Sequence, residues 1–290
     1  FWDGGGFEVF RDSPTPWDID SVHGWDGDDV WAVAALGEVL HYDGAQWSVE
    51  DVGDDDASKI FACGPQQAWL ITDDTTERVY RHTLQGGWTS VNTGETDSYG
   101  AQLTAMWGQA CDDMWFFGID SGDTVVLHYD GNGFSPYGFW SFPNGLEVHD
   151  LYGLAWNEIW GLTDDYRLIN FDGSVWTDVY DGTFTCCGGI WGASPVDAWA
   201  AEGDVSWRKW NGSSWVTFGV VEAHQAYGSL YNTNVEGLWG NATDDAWTIG
   251  NSTSQDIIRT FRWDGSAWRE APTPTVDLLQ DTTSEINAVW

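Results

Sequence analysis

Positive charge is scarce in this sequence. Ten Lys and Arg stand against 46 Asp and Glu in 290 residues, a formal net charge of −36 at pH 7. Nucleic-acid binding leans on phosphate neutralisation by Lys and Arg, so nucleic acid is not an expected partner. Anionic membrane surfaces are disfavoured for the same reason. Long apolar runs are missing as well. Nothing approaches the ~20 residues that span a bilayer, so no transmembrane segment is expected. No stretch reads as an amphipathic helix, although 219–230 has room for a short turn. Cysteine is limited to four residues, too few for a disulfide-built scaffold, and their spacing is not that of a zinc site. Cys63 and Cys111 lie in successive repeats, and Cys186 and Cys187 are adjacent. Both pairs are disulfide candidates, and a disulfide implies an oxidising compartment. The chain opens on "FWDGGGFEVF" without a start Met, which reads as mature or fragmentary material.

Aromatic residues and glycine are abundant instead. There are 23 Trp and 35 Gly, and 42% of residues are hydrophobic. A disordered acidic chain does not carry that many aromatics, so a folded, turn-rich protein with an acidic solvated shell is expected.

The aromatics repeat. His23, Phe61, Trp107, Tyr152, Trp191, Trp239 and Trp290 form one series, with successive intervals of 38, 46, 45, 39, 48 and 51 residues. A second series is Trp31, Trp69, Trp115, Trp160, Trp199 and Trp247, each eight residues after its first-series partner. A third marker is the turn in "DGAQW", "DGNGF", "DGSVW", "NGSSW" and "DGSAW", with "LQGGW" a degraded copy and "DGGGF" at 3–7 another. The period matches a four-stranded propeller blade of ~40–50 residues. Alternating segments such as "DVWAVA" suit strands, and Asp-Gly or Asn-Gly suits tight hairpins. Within a unit the order is strand a, an acidic turn, strand b, strand c, the DG turn and strand d.

These patterns predict an all-β fold: a β-propeller of four-stranded blades in a single domain over 1–290. "DGGGF" supplies the end of strand c and all of strand d, and "INAVW" at 286–290 supplies a strand a. Pairing them would close the propeller with a seventh, composite blade and remove an exposed edge. Seven blades is therefore the leading expectation. Six blades with spare terminal strands is the alternative, because the composite has no sequence for strand b.

Chemistry-bearing residues mostly follow the repeat. Asp29, Gln67, Asp113, Glu158, Asp197 and Asp245 each precede a second-series Trp by two residues, where an acid can cap the a–b turn. The competing reading, calcium ligation, lacks the spaced acids of an EF-hand loop. "DVGDDD" at 51–56 is a somewhat better calcium candidate. No other cofactor is expected. His41, His82 and His128 share one strand-c position with Asn170, Lys209 and Arg262 of other units, which argues for a structural role. No Ser/His/Asp constellation, fixed metal spacing or phosphate-cradling glycine loop stands out, and catalytic residues are not assigned. "NGS" at 211–213, "NAT" at 241–243 and "NST" at 251–253 match glycosylation acceptors, although turn chemistry explains the first two.

The combined pattern, a hydrophobic-Trp-Gly start, an acid before the second Trp and an "HYDG" turn, resembles the tectonin/WD-like propeller repeats of secreted or surface bacterial proteins. "HYDGAQW" also resembles the seven-bladed bacterial propeller lectins that bind fucose and related sugars. Those lectins have shorter, more regular units, and their sugar-contacting residues do not map onto positions here. The resemblance implies a propeller, an extracellular or cell-surface location and a carbohydrate-binding role.

Loop lengths locate the expected binding face. The a–b and c–d turns are nearly constant, whereas the b–c and d–a connections vary and emerge on the opposite face. Recognition usually sits on variable loops held by a rigid scaffold. The ligand-binding candidates on that face are Tyr99, Tyr137, Trp140, Tyr227 and Tyr231, whose rings can stack on sugars. The expected function is a non-catalytic extracellular recognition module for a glycan or a protein. The alternatives are a structural or accessory subunit of a larger surface assembly, and a propeller glycan lyase or hydrolase.

Overall fold

The computed structural model describes residues 14–52, 57–72, 79–94, 102–137, 145–165, 167–179, 188–202, 206–222, 233–252 and 257–271. The strands pair antiparallel in chain order within six blades. Blade one is β1 (Ile19–Asp26), β2 (Asp29–Ala34), β3 (Glu38–Tyr42) and β4 (Trp47–Glu50); blade two is β5 (Ala57–Gly64), β6 (Gln67–Thr72), β7 (Val79–Thr83) and β8 (Gly87–Val91). Blade three runs through β9 (Gln102–Ala110), β10 (Asp113–Asp120), β11 (Asp123–Tyr129) and β12 (Phe134–Pro136). Blade four comprises β13 (Val148–Ala155), β14 (Glu158–Thr163), β15 (Leu168–Phe171) and β16 (Trp176–Asp178). Blade five is built from β17 (Ile190–Ser194), β18 (Asp197–Glu202), β19 (Ser206–Trp210) and β20 (Trp215–Glu222). Blade six holds β21 (Thr233–Ala242), β22 (Asp245–Ser252), β23 (Ile257–Trp263) and β24 (Trp268–Ala271).

The expectation of seven blades is thus corrected to six. Each observed blade owns all four strands. The composite seventh had no strand b to hydrogen-bond its strand a into a sheet, and its two pieces, 3–7 and 286–290, lie outside the described residues. The chain divides into two compact units: residues 19–183, which hold blades one to four, and residues 1–18 with 184–290, which hold blades five and six.

The eight-residue interval between the two aromatic series is a cross-strand pair. His23 faces Trp31, Phe61 faces Trp69, Trp107 faces Trp115, Tyr152 faces Trp160, Trp191 faces Trp199 and Trp239 faces Trp247. Directly opposed residues on one sheet face are the unit of sheet stabilisation. Trp31, Trp69 and Trp199 are fully buried. Truncating such a side chain costs about 3–5 kcal/mol.

The glycine after the first-series aromatic has a packing cause. A Cβ on Gly153 would lie 2.5 Å from the Trp107 ring of the preceding blade, and one on Gly240 would lie 2.7 Å from the Trp191 ring. Tyr152-Gly153 and Trp239-Gly240 therefore each offer a bare backbone patch that receives the ring of the blade before. In the first unit the same boundary is sealed by hydrogen bonds, Ala62 N to His23 Nδ1 at 3.1 Å and Ile60 N to Ser21 Oγ at 3.2 Å.

The DG turns are Asx turns. Asp43 Oδ1 accepts the backbone N–H groups of Ala45 and Gln46, each at 2.9 Å, and Asp130, Asp172, Asn211 and Asp264 repeat the arrangement in blades three to six. The following glycine is left-handed, with φ between 86° and 91° at Gly44, Gly131, Gly173, Gly212 and Gly265. It also backs onto the a–b turn. A Cβ there would lie 2.5–3.1 Å from Asn157, Val196, Asp244, Asp28 or Asp112 of the same blade. Conformation and close approach both demand glycine.

One pairing leaves the repeat. β20 of blade five runs past its own blade and pairs parallel with β24 of blade six, Val220 opposite Trp268 and Glu222 opposite Arg269. The two blades thereby share one eight-stranded sheet.

Candidate functional site

The a–b and c–d ends of the blades carry a recurring polar device. His41 Nε2 donates to Asp29 Oδ1 at 2.8 Å, and His128 Nε2 donates to Asp113 Oδ1 at 2.7 Å. In blades five and six the partners are cations: Lys209 Nζ lies 3.0 Å from Asp197 Oδ1 and Arg262 Nε 2.9 Å from Asp245 Oδ1. The strand-c group simultaneously covers the second-series Trp. His41 stacks on Trp31 at 3.8 Å, His128 on Trp115 at 4.3 Å, and Lys209 sits 4.8 Å from the Trp199 ring centre. Arg262 sits 5.3 Å from Trp247. The acids therefore hold the strand-c residue over the indole, whereas a simple turn cap was expected. Asp29 adds a bond from Gln66 N of the next blade through its other oxygen.

Two blades vary the device. In blade two Arg81, not His82, stands opposite Trp69 and lies 5.3 Å from its ring, while His82 Nδ1 donates to Gln66 O. The shared position assigned to His82 is corrected by one residue. In blade four the acid is Glu158 and the strand-c residue is the neutral Asn170. Burial holds the Glu158 carboxyl above its ordinary pKa, the Trp160 indole N–H opposes that rise, and the nearby Asp172 charge adds to it.

Electrostatics in the turns are equally local. Backbone N–H donors hold Asp43, Asp130 and Asp172 below the usual carboxylate pKa. Asp264 is lowered first by the Ser266 hydroxyl and then by Arg269. Burial pushes the His23 imidazole down to about 4, which keeps Nδ1 available as the acceptor for Ala62 N.

The opposite end starts where the inner strands begin. There β1, β5, β9, β13 and β21 each contain a bulge three residues before the first-series aromatic. The extra residues are Asp20, Ser58, Thr104, His149 and Glu236, polar in all five cases. Bulges re-aim side chains and recur next to binding sites. The Thr104 hydroxyl donates to Val148 O at 2.7 Å, joining β9 to β13, and the Ser58 hydroxyl donates to Ile71 O. Asp20 and His149 are exposed, as are Lys59, one residue past its bulge, and Gln102 at the start of β9. The polar inner-strand residues were missed in the sequence, although five polar residues at one offset from the marker were a readable signal.

Of the aromatic candidates, Tyr137 is described. It is half-buried, edge-on to Trp115 at 4.8 Å and to Phe171 at 5.4 Å, and its N–H donates to Val126 O. It fastens the connection after β12 to the core and leaves part of its ring at the surface. Tyr99, Trp140, Tyr227 and Tyr231 lie outside the described residues, as do Cys186, Cys187 and residues 53–56 of the "DVGDDD" segment. Cys63 and Cys111 form a disulfide that joins blades two and three. Among the described residues, no three or more His, Cys, Asp or Glu side chains gather as a metal site.

The chain matches no family model and no curated protein. Solved structures do resemble it. A YCF48 bound to D1 peptide is 17% identical over 85% of this chain and 78% of its own, with a TM-score of 0.58. YCF48 from Cyanidioschyzon merolae is 13% identical over 90% of this chain and 87% of its own, at a TM-score of 0.65. This chain has the β-propeller fold. A GH74 xyloglucanase from Xanthomonas campestris is 10% identical over 90% of this chain and 46% of its own, at a TM-score of 0.67. At these identities the likeness speaks for the fold alone, since one fold hosts unrelated functions.

Proposed function

We propose that this propeller is a non-catalytic recognition module that binds a glycan or a protein through the face bearing its b–c and d–a connections. The observation that carries this reading is the contrast between blade ends. At the a–b and c–d end, the same Asx turn, glycine contact and acid–cation–Trp device recur, which is what holding the blades together requires. At the other end the connections differ in length and the bulged inner strands present polar side chains to solvent.

A peptide-bound propeller and a glycan-processing propeller among the similar structures illustrate both ligand classes on this fold. The Cys63–Cys111 disulfide fits export to an extracellular or cell-surface setting. No helix among the described residues is long and apolar enough to cross a membrane.

A glycan array, run with and without calcium and paired with capture of protein partners, tests the reading. Tyr99→Ala and Trp140→Ala should reduce binding at least tenfold with unchanged melting. No ligand in either format, together with co-purification in a fixed-stoichiometry complex, would favour a structural subunit instead.

A further inference from the structure

Cations are rare in this chain, and nearly all of the described ones are occupied. Arg167 bonds Asp165 and Asp178, Lys209 bonds Asp197, Arg259 bonds Glu270, Arg262 bonds Asp245 and Arg269 bonds Asp264. Arg81 lies over Trp69 and donates to the Tyr129 hydroxyl, and Arg208 is buried and engaged. Lys59 differs. It is exposed, and no carboxylate, aromatic ring or hydrogen-bond partner engages it among the described residues. In a protein with 46 acids, a cation left open on an inner strand is a notable placement.

Its neighbourhood is polar and mixed. β5 lies beside β1, joined by the Ser21 and His23 bonds, and is tied to blade three by the disulfide. β9 in turn is bonded to β13 through Thr104. The starts of these four adjacent strands thus present Asp20, Lys59, Gln102 and His149 in order, all exposed. This arc opens on the side where the long d–a connections arrive.

We infer that this arc is a binding site for a carboxylated sugar of the uronic-acid class, with Lys59 as the carboxylate anchor. The inference rests on the recognition reading above and specifies its ligand. An ammonium group is a compact point charge suited to a carboxylate. His149 can both donate to and accept from sugar hydroxyls. The Asp20 carboxylate on the adjacent strand β1 disfavours a ligand with several anionic groups per residue. One carboxylate among many hydroxyls is the chemistry that fits.

The test is calorimetry on the full chain with trigalacturonate, its carboxyl-reduced neutral trisaccharide and acetylated triglutamate. Wild type should bind trigalacturonate at least tenfold more tightly than either of the others, and more weakly as salt rises. Lys59→Gln should lose at least tenfold in trigalacturonate affinity with unchanged melting, whereas Lys59→Arg should stay within a few-fold of wild type. Equal binding of the neutral trisaccharide, equal binding of triglutamate, or full affinity in Lys59→Gln would each overturn the inference. If trigalacturonate does not bind but a glycan or protein is captured in the broader screen, this inference fails and the recognition reading stands. If nothing binds in either experiment, both fail.

Discussion

The two ends of each blade obey different rules. At the a–b and c–d end, an Asx turn with a left-handed glycine recurs in blades one and three to six. An acid held against a strand-c cation or imidazole recurs in blades one, three, five and six. Asn211 replaces Asp in blade five, and Arg81 replaces the imidazole in blade two. At the inner-strand starts only the backbone recurs. The bulge is kept, but its side chains run from Asp20 to Ser58, Thr104 and His149. Repetition of side chains reports what every blade needs for packing. Repetition of backbone with changing side chains is what a scaffold leaves open for a ligand.

The strongest way to break that comparison is to remove a buried member of the regular end. Trp69→Ala should destabilise the chain by about 3–5 kcal/mol, read by denaturant unfolding, because the ring is fully buried against Phe116, Tyr129 and Phe134. A loss under 1 kcal/mol would show that the repeated indole is not a packing element. Cys63→Ser with Cys111→Ser should cost about 2–4 kcal/mol, given the 48-residue span that the bridge closes in the unfolded chain. An unchanged midpoint under oxidising conditions would contradict the bridge's role in joining blades two and three.

His23 gives a pH-dependent test at a blade boundary. Its folded pKa of about 4 lies below the unfolded value of 6.5, so the unfolded chain binds more protons between those values. The contribution is present above pH 6.5 and is lost as pH falls toward 4. The expected loss is on the order of 1 kcal/mol, below the full linkage value because solvent still reaches part of the residue. His23→Asn should flatten this part of the stability profile relative to wild type. Parallel profiles would remove the Ala62–His23 bond from the account.

The smallest effect belongs to the Asx turns. Asp43, Asp130 and Asp172 have folded pKa values below their ordinary one, so their contribution is present above about pH 3.8 and fades as pH falls below it. Asp43→Asn should be tolerated at pH 7 and remove part of the acid sensitivity, since Asn211 already fills that role. Asp43→Ala should lower the melting temperature at pH 7. Equal melting of both variants would show that the side-chain acceptor is dispensable.

Much of this was legible because the strand period and the blade period are both written in large residues. The interval from Trp239 to Trp247 named a cross-strand pair, and the DG turns named the c–d hairpins. The pairing of Cys63 with Cys111 was among the candidates because both lie beside a–b turns. The blade count was misread because a turn signal and an apolar segment at the chain ends look like strands without the partner that would make a sheet. The His82 position slipped because blade two has a degraded DG turn, which shifts strand c by one residue. Pairing of β20 with β24 left no mark, since backbone hydrogen bonds between neighbouring blades impose no side-chain pattern. The acid–cation device was written in the sequence as Asp with His, Lys or Arg across strands b and c, but the turn-capping habit of Asp masked it.

The most direct test of the division between the ends compares Asp43→Ala with Trp140→Ala for both melting temperature and ligand binding by folded protein. The account predicts that Asp43→Ala lowers melting and keeps binding, whereas Trp140→Ala keeps melting and loses binding at least tenfold. Loss of binding in Asp43→Ala with full binding in Trp140→Ala would contradict it and move the site to the regular end of the blades.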